Sequence, residues 1–137
     1  ENSLQGIVII RDFKIVYANP AFARITGYSV NELLTFTPQQ VIELAHPDDR
    51  VKLWRNFRNR IAGMDISPHY QFKGLSKQGN AKILELYANR IEYLGKPAIQ
   101  GFILDITDQV AAQEIIKQRT KLIETILNNV DNHCKNQ

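Results

Sequence analysis

The segment that most constrains the fold of this chain covers residues 101–130. It begins with an apolar stretch, residues 102–106, which is typical of a buried strand. That stretch continues into a long run without Gly or Pro, which predicts a helix from residue 108 to about residue 133. Such a helix would be roughly 40 Å long, whereas a domain of about 105 residues has a radius of gyration of about 13 Å. We therefore expect the helix to extend beyond the body of the domain.

The composition fits one globular domain with an appendage. Of the 137 residues, 44% are hydrophobic and 23% are charged, which is ordinary for a protein with a hydrophobic core. We therefore expect a domain over residues 1–106 and a C-terminal linker or coiled-coil helix over residues 107–137. Because the chain starts at Glu1 rather than Met, we also expect it to be a piece of a longer protein.

The cysteine count, the apolar runs and the net charge indicate the cellular location of the chain and the kinds of partner it can bind. Cys134 is the single cysteine, so a disulfide or a cysteine metal site within one chain is excluded, and we expect a reducing, cytoplasmic location. No apolar run approaches the roughly 18 residues of a membrane span, so we predict no membrane contact by this segment. The net charge of +3 permits an acidic partner but does not require nucleic acid.

Apolar periodicity and turn residues predict an α+β order of elements. Residues 6–12 and 14–18 are two β-branched runs that predict a hairpin, although Phe13 is an unusual turn residue. Short helices follow, each opened by an Asn, Ser or Thr cap. Residues 46–63 predict the best helix of the body. Its apolar stripe comprises Leu53, Trp54, Phe57 and Ile61. Three alternating runs with turn residues between them then predict an antiparallel meander.

Four motifs in this order resemble those of the PAS family, which are small sensory α+β domains. They are YANPAFARITGYSVNELL, AHPDDR, KQGN before a strand, and GFILDITD, and the resemblance covers residues 4–108. The matching residues are Asn19, Phe22, Gly27, Tyr28, His46, Pro47, Asp48, Asp49, Lys77, Gly79, Asp105 and Thr107. Gln78 stands where family proteins usually have Asp. The resemblance implies a five-stranded antiparallel sheet in the order 2-1-5-4-3, with short helices on one face and a long C-terminal helix.

The resemblance also implies a function. Such PAS/PAC modules sense a ligand or partner and pass the change to an output domain, commonly a histidine kinase of a two-component system or a diguanylate cyclase. We therefore expect a non-catalytic sensory and dimerisation module, with its output domain in the same parent chain. The sequence contains no Ser-His-acid spacing, no phosphate loop and no strong acid pair, which argues against catalysis within the chain.

The junction between the last strand and the helix is the candidate transmission point. Asp105 ends the strand and could bind backbone or a basic side chain, while Thr107 fits a helix N-cap. A shift of the last strand would then move the start of the helix. The alternative is that Asp105 and Thr107 form a good cap and nothing more.

The helix itself predicts a homodimer. Ile116, Ile123 and Val130 repeat at seven residues, with Ile126 beside them, which favours the seam of a parallel coiled coil. The alternative is that the helix folds back and covers its own sheet as part of a monomeric core. Alternation along the last strand places Phe102 and Leu104 on the outer face of the sheet. Ile83, Tyr87 and Ile91 extend this patch, which is typical of an interface.

A pocket between the sheet and the helices follows from the resemblance. Its expected lining is Ile7, Ile9, Leu84, Leu86, Ala88, Gly101 and Ile103 from strands, with Phe22, Ile25, Leu44, Leu53, Phe57 and Ile61 opposite them. This lining is almost wholly apolar. The pocket would therefore take a small apolar or aromatic metabolite, or be filled by its own side chains, for which Trp54 and Phe57 are large enough.

Known cofactors of the family fit this sequence poorly. Light-sensing relatives need a cysteine in the helical region opposite the sheet, and this chain has none there, so a photoactive flavin adduct is not expected. A haem needs an axial ligand such as His, and residues 51–62 contain none. We expect His46, in its turn motif, to pack and cap rather than to bind a metal, and we predict no metal site.

A basic helix face provides the alternative function. Residues 50–60 carry five cations, Arg50, Lys52, Arg55, Arg58 and Arg60. They would suit the PAS module of a transcriptional regulator that contacts nucleic acid or an acidic partner. The interleaved aromatic residues fall on the apolar stripe, however, so we expect them to be buried rather than available for base stacking. Nucleic acid is therefore the less favoured partner.

Overall fold

The computed structural model describes the backbone of residues 5–135 and the side chains of residues 5–130, so the side chains of His133 and Cys134 lie outside the described residues. Its strands are β1 (Gly6–Arg11), β2 (Lys14–Ala18), β3 (His69–Leu75), β4 (Ala81–Tyr93) and β5 (Lys96–Asp105). Its helices are α1 (Pro20–Thr26), α2 (Val30–Leu34), α3 (Pro38–Ile42), α4 (Arg50–Ile61) and α5 (Thr107–Lys135), with a 3-10 turn at Pro47–Asp49.

The five strands form one sheet in the order β2-β1-β5-β4-β3, and every neighbouring pair is antiparallel. The predicted fold class is therefore confirmed. Gly101 in the central strand β5 is paired with Val8 of β1 on one side and Ala88 of β4 on the other. Because directly opposite residues share a face of a sheet, this row fixes which side chains of three strands face the helices.

The short helices form because their first turns satisfy their own backbone amides. In α2, the Ser29 hydroxyl accepts from the Glu32 N–H at 3.0 Å, and the Glu32 carboxylate accepts from the Ser29 N–H at 2.8 Å. Thr37 and Gln40 make the same reciprocal pair in α3. Asn19 caps α1 and also accepts from the N–H of Ile7 at 2.9 Å. Capping boxes thus start α2 and α3, and the Asn19 cap attaches α1 to the sheet.

The turn between β1 and β2 holds Phe13 in an unusual conformation. Asp12 and Phe13 have φ values of 55° and 61°, the left-handed region that a tight hairpin requires at both central positions. This conformation is rare for a bulky residue and indicates local strain. The Phe13 ring offsets it by packing on α4, with centroids 5.3 Å from Trp54 and 4.9 Å from Phe57. The presence of Phe13 at this turn is therefore explained by its contact with α4, which is distant in the sequence.

The chain divides into two compact units, one ending at Ile106 and one beginning at Thr107. The first holds the sheet, helices α1–α4 and the hydrophobic core. The second is α5, in which residues 111–130 are all exposed. Within the part of the chain that the structure describes, no helix combines the length and the apolar character needed to cross a membrane.

Candidate functional site: a cavity against the sheet

The first unit contains a cavity of about 100 Å³ between the sheet and the helices. Side chains from all five strands and from α1, α3 and α4 line it. Ten of the residues expected from the sequence lie in this lining: Phe22, Ile25, Leu44, Leu53, Phe57, Leu84, Leu86, Ala88, Gly101 and Ile103. The wall is mainly apolar, as the alternation along β4 and β5 requires.

Ile7 and Ile9 do not line the cavity, and their predicted face was wrong. Val8 and Ile10 occupy those positions instead. The pairing of Val8 with Gly101 places Val8 on the cavity side, so alternation turns its two neighbours to the outer face. A run of consecutive apolar residues carries no alternation signal of its own, and only the pairing with β5 resolves the face.

Ile61 is the third predicted residue that lies outside the lining. It packs against the core from the end of α4 without reaching the cavity. Arg60 lines the cavity at this end of the helix. Arg60 follows Phe57 by three residues, so the helical spacing of the stripe pointed to it. Its charge excluded it from the sequence prediction, because charged residues are rarely buried.

Arg60 and Tyr70 form a polar end of the cavity. The Arg60 side chain is only 8% exposed, and its guanidinium donates to the carbonyl oxygens of Ile66 at 3.2 Å and Ser67 at 2.7 Å. Burial raises the pKa of the Tyr70 hydroxyl, while the neighbouring guanidinium of Arg60 and the amide of Asn56 act in the opposite direction. Tyr70 therefore remains a neutral hydrogen-bonding group at physiological pH.

Lys82 is the other cation in the lining, and it connects the cavity to the end of β5. Its ammonium donates to the carbonyl oxygen of Ile25 at 2.8 Å and lies 3.7 Å from the Asp105 carboxylate. The backbone N–H of Ile106, the next residue, donates to the Ile83 carbonyl at 2.9 Å. Helix α5 then begins at Thr107, with Asp108 in its first turn. A single residue thus separates the last strand from the helix.

An aromatic cluster of Phe13, Trp54 and Phe57 packs at the α4 side of the cavity. Two of its members, Trp54 and Phe57, also line the cavity. They narrow the cavity but do not fill it. The buried indole N–H of Trp54 has no hydrogen-bond partner among the described residues.

The HPDD turn connects the start of α4 to β3. The His46 ring nitrogen accepts from the Asp48 N–H at 3.1 Å, so this side chain caps the turn. The Asp49 carboxylate accepts from the Lys73 N–H at 2.7 Å, and Asp48 pairs with the Lys73 ammonium at 3.1 Å. That ammonium holds the pKa of the Asp48 carboxyl below its ordinary value, and His46 adds to the effect. In the described part of the chain, no three His, Cys, Asp or Glu side chains gather as a metal ion would need.

The outer face of the sheet carries a row of side chains across four strands. Ile7, Phe102, Tyr87 and His69 are successive directly paired residues. The His69 ring stacks on Tyr87, with centroids 4.3 Å apart and planes 9° apart, and bonds to the Glu85 carboxylate at 2.8 Å. Phe102 and Leu104 are both half-buried. Ile7 and Ile9 also belong to this face, where Ile7 is half-buried and adds to the apolar patch while Ile9 is buried.

Comparisons with known proteins agree with this architecture. The family described as PAS fold matches residues 15–103, more than half of the chain. The sensor histidine kinase TmoS of Ectopseudomonas mendocina is 30% identical over 125 residues, a match that covers 86% of this chain and 12% of that protein. The chain therefore spans a small part of the length of this curated relative.

Solved structures show the same fold at low sequence identity. A sensory box histidine kinase/response regulator from Burkholderia thailandensis has a TM-score of 0.65 and 19% identity, covering 88% of this chain and 91% of that chain. The N-terminal domain of a diguanylate cyclase with PAS/PAC sensor from Marinobacter aquaeolei has a TM-score of 0.60 and 16% identity, covering 77% and 98%. A Light-Oxygen-Voltage domain studied with a flavin analogue has a TM-score of 0.59 and 18% identity, covering 85% and 88%. These structures share the fold, and the family match with the 30% identical relative shows that the chain belongs to the PAS family of sensory domains.

Proposed function

We propose that this PAS domain is a non-catalytic sensor that binds a small, mainly apolar ligand in its cavity and signals through α5. One observation carries the proposal: β5 contributes Gly101 and Ile103 to the cavity wall, and the same strand ends at Asp105, one residue before α5 begins. A ligand that displaces this wall would therefore act on the strand that leads into the helix.

The proposed route of the signal passes through Asp105, Ile106 and Thr107. Lys82 strengthens this assignment, because its side chain lines the cavity and lies 3.7 Å from the Asp105 carboxylate. A displacement of Lys82 by a ligand would change the electrostatic surroundings of Asp105 directly. Beyond α5, we propose a histidine kinase output domain, with a diguanylate cyclase as the second choice, because proteins of both kinds contain domains similar to this one.

The proposed functional state is a homodimer in the cytoplasm. Ile116, Ile123, Ile126 and Val130 are all more than half exposed in α5, as the seam of an unpaired coiled-coil helix would be. The half-buried Phe102 and Leu104 on the outer face of the sheet provide further apolar area for the same interface.

The alternative role in nucleic-acid binding is weakened by where the helix side chains lie. Arg60 is buried, and the Arg50 side chain donates to the Ala45 carbonyl at 2.8 Å. Trp54 and Phe57 belong to the cavity wall and are not available to stack on bases. The exposed cations Lys52, Arg55 and Arg58 remain, and we assign them to a solvated face.

Native mass spectrometry of the gently purified chain tests the proposal. We expect a dimer that carries additional mass from a bound small molecule. Ala88→Leu should remove that mass, because Ala88 is buried in the cavity wall and a larger side chain would occupy the space. Ala111→Leu on the exposed face of α5 is the matched control and should keep it. Equal retention of the ligand by both variants would contradict binding in this cavity.

A further inference from the structure

The charged residues that line the cavity all have the same sign. Arg60 and Lys82 are the two charged side chains among the described lining residues, and both are cations. The remaining wall is mainly apolar, so little in it screens or compensates these charges. A cavity of this kind favours an anion over a neutral or cationic ligand.

The two cations differ in whether a protein carboxylate already neutralises them. Lys82 lies 3.7 Å from the Asp105 carboxylate. Arg60 makes no ion pair within the described residues: its partners there are the carbonyl oxygens of Ile66 and Ser67 and the hydroxyl of Tyr70. All three are neutral. The C-terminal end of α4 stabilises part of the charge, but a buried guanidinium is ordinarily paired with a carboxylate or phosphate.

The geometry around Arg60 leaves hydrogen-bonding capacity for such a partner. A guanidinium has five N–H groups, and a neutral tyrosine hydroxyl donates one hydrogen bond while its oxygen accepts others. The Arg60 guanidinium and the Asn56 amide both lie beside the Tyr70 oxygen as donors, which leaves the single Tyr70 hydrogen for an acceptor such as a carboxylate. Arg60 and Tyr70 therefore suit the two oxygens of one carboxylate.

We infer that the ligand of this cavity is a small carboxylic acid whose carboxylate binds Arg60 and Tyr70 and whose apolar body lies against β4, β5 and α4. This inference rests on the proposed function, because it specifies the class of ligand that the sensor detects. The cavity of about 100 Å³ is smaller than an engineered protein cavity of about 150 Å³ that binds benzene, which limits the ligand to a short chain or a compact group.

Butanoate and butanamide form a matched pair of probes, since they share a carbon chain and differ in charge. Their dissociation constants can be measured with the whole chain by NMR titration of the backbone amides. We expect butanoate to bind at least about tenfold more tightly than butanamide, as is usual when a hydrogen bond gains a full charge. Arg60→Gln should reduce this preference to about one. Arg58→Gln, an exposed cation on the same helix, should leave it unchanged.

A second variant keeps the inference testable if Arg60→Gln does not fold. Tyr70→Phe keeps the guanidinium and its carbonyl partners and removes the hydroxyl that would donate to the carboxylate, so it should weaken butanoate binding several-fold. Equal affinity for the two probes in the unmodified chain would overturn the inference while leaving ligand sensing intact. Binding of neither probe would also overturn it, and the native mass spectrum then decides separately whether the cavity holds a ligand.

Discussion

Gly27 and Gly63 share a left-handed backbone conformation but differ in their surroundings. Their φ values are 82° and 86°. A Cβ at Gly27 would lie 2.8 Å from the Gln78 side-chain oxygen and 3.3 Å from Cβ of Lys77, whereas at Gly63 it would meet no described atom within 4 Å. Gly27 therefore ends α1 and also lets the turn between β3 and β4 approach it.

We predict that Gly27→Ala lowers the free energy of unfolding more than Gly63→Ala. Both variants force alanine into the left-handed region, which costs about 1–2 kcal/mol. Gly27→Ala must also crowd Cβ and the backbone N of Lys77, at 3.3 and 3.4 Å, which yield less readily than the flexible end of the Gln78 side chain. Urea denaturation followed by circular dichroism measures the difference. Equal losses for the two variants would mean that the close approach at Gly27 contributes nothing.

The apolar residues of the cavity lining could be predicted from the sequence, whereas the polar ones could not. Leu84, Leu86 and Ala88 alternate along a strand, so their common face follows from the pattern. Arg60 is buried and Lys82 is partly buried, and both donate to carbonyl oxygens outside their own elements, those of Ser67 and Ile25. The sequence around a cation does not indicate such partners. A hydrophobicity scale therefore predicts that both residues lie on the surface.

Among the elements, helix α2 is held by a charged cap. The Ser29 N–H donates to the Glu32 carboxylate, and Lys77 pairs with the same group at 3.1 Å. The backbone hydrogen bond from Ser29, followed by Lys77, holds the pKa of the Glu32 carboxyl below its ordinary value of 4.5. Helix α3 shows that a neutral amide serves the same geometry, since Gln40 accepts from the Thr37 N–H at 2.8 Å.

Glu32→Gln should keep the cap and remove the pH dependence that Glu32 contributes. A carboxyl with a lowered pKa in the folded state stabilises the protein above its unfolded pKa, about 4.5 here, and this contribution is lost as the pH falls through the folded value. We expect the variant to lose less stability than the parent below pH 4.5 in thermal denaturation. Glu92→Gln, at an exposed position of β4, is the control. Parallel curves for parent and Glu32→Gln would contradict this role.

Element order could be predicted because local signals were consistent with one another, whereas the strand order of the sheet was implied by the resemblance to the PAS family. Caps, glycine turns and alternating runs each depend on a few adjacent residues. The face of β1 could not be predicted, because its residues are apolar on both sides and only the register against β5 distinguishes them. The positive φ of Phe13 was equally hidden, since its reason is the ring contact with Trp54 and Phe57.

For the whole molecule, the exposed apolar side chains of α5 are the main feature without a partner among the described residues. Ile116, Ile123, Ile126 and Val130 expose between 52% and 63% of their surface. An exposed apolar stripe of this kind usually marks an interaction surface. This is the physical basis for expecting two copies of the chain to pair.

Replacing both Ile116 and Ile123 by Asp should convert the proposed dimer to a monomer while the first unit stays folded. Charges placed on the seam would be buried on pairing, which is strongly unfavourable. Light scattering after size exclusion gives the mass, and circular dichroism reports the fold. Replacing Gln118 and Thr125 by Asp, also seven residues apart but outside the seam, should preserve the dimer. A dimer that survives the seam substitutions would refute the coiled-coil interface.

Trp54 is the single tryptophan of the chain and lies in the cavity wall. The molecule therefore carries its own optical reporter, whose ultraviolet emission originates at the proposed sensing site and from no other tryptophan. A change in that emission on adding a compound would register events around α4, whatever happens further along α5. Occupancy and output can thus be followed separately in the same sample, without attaching a dye.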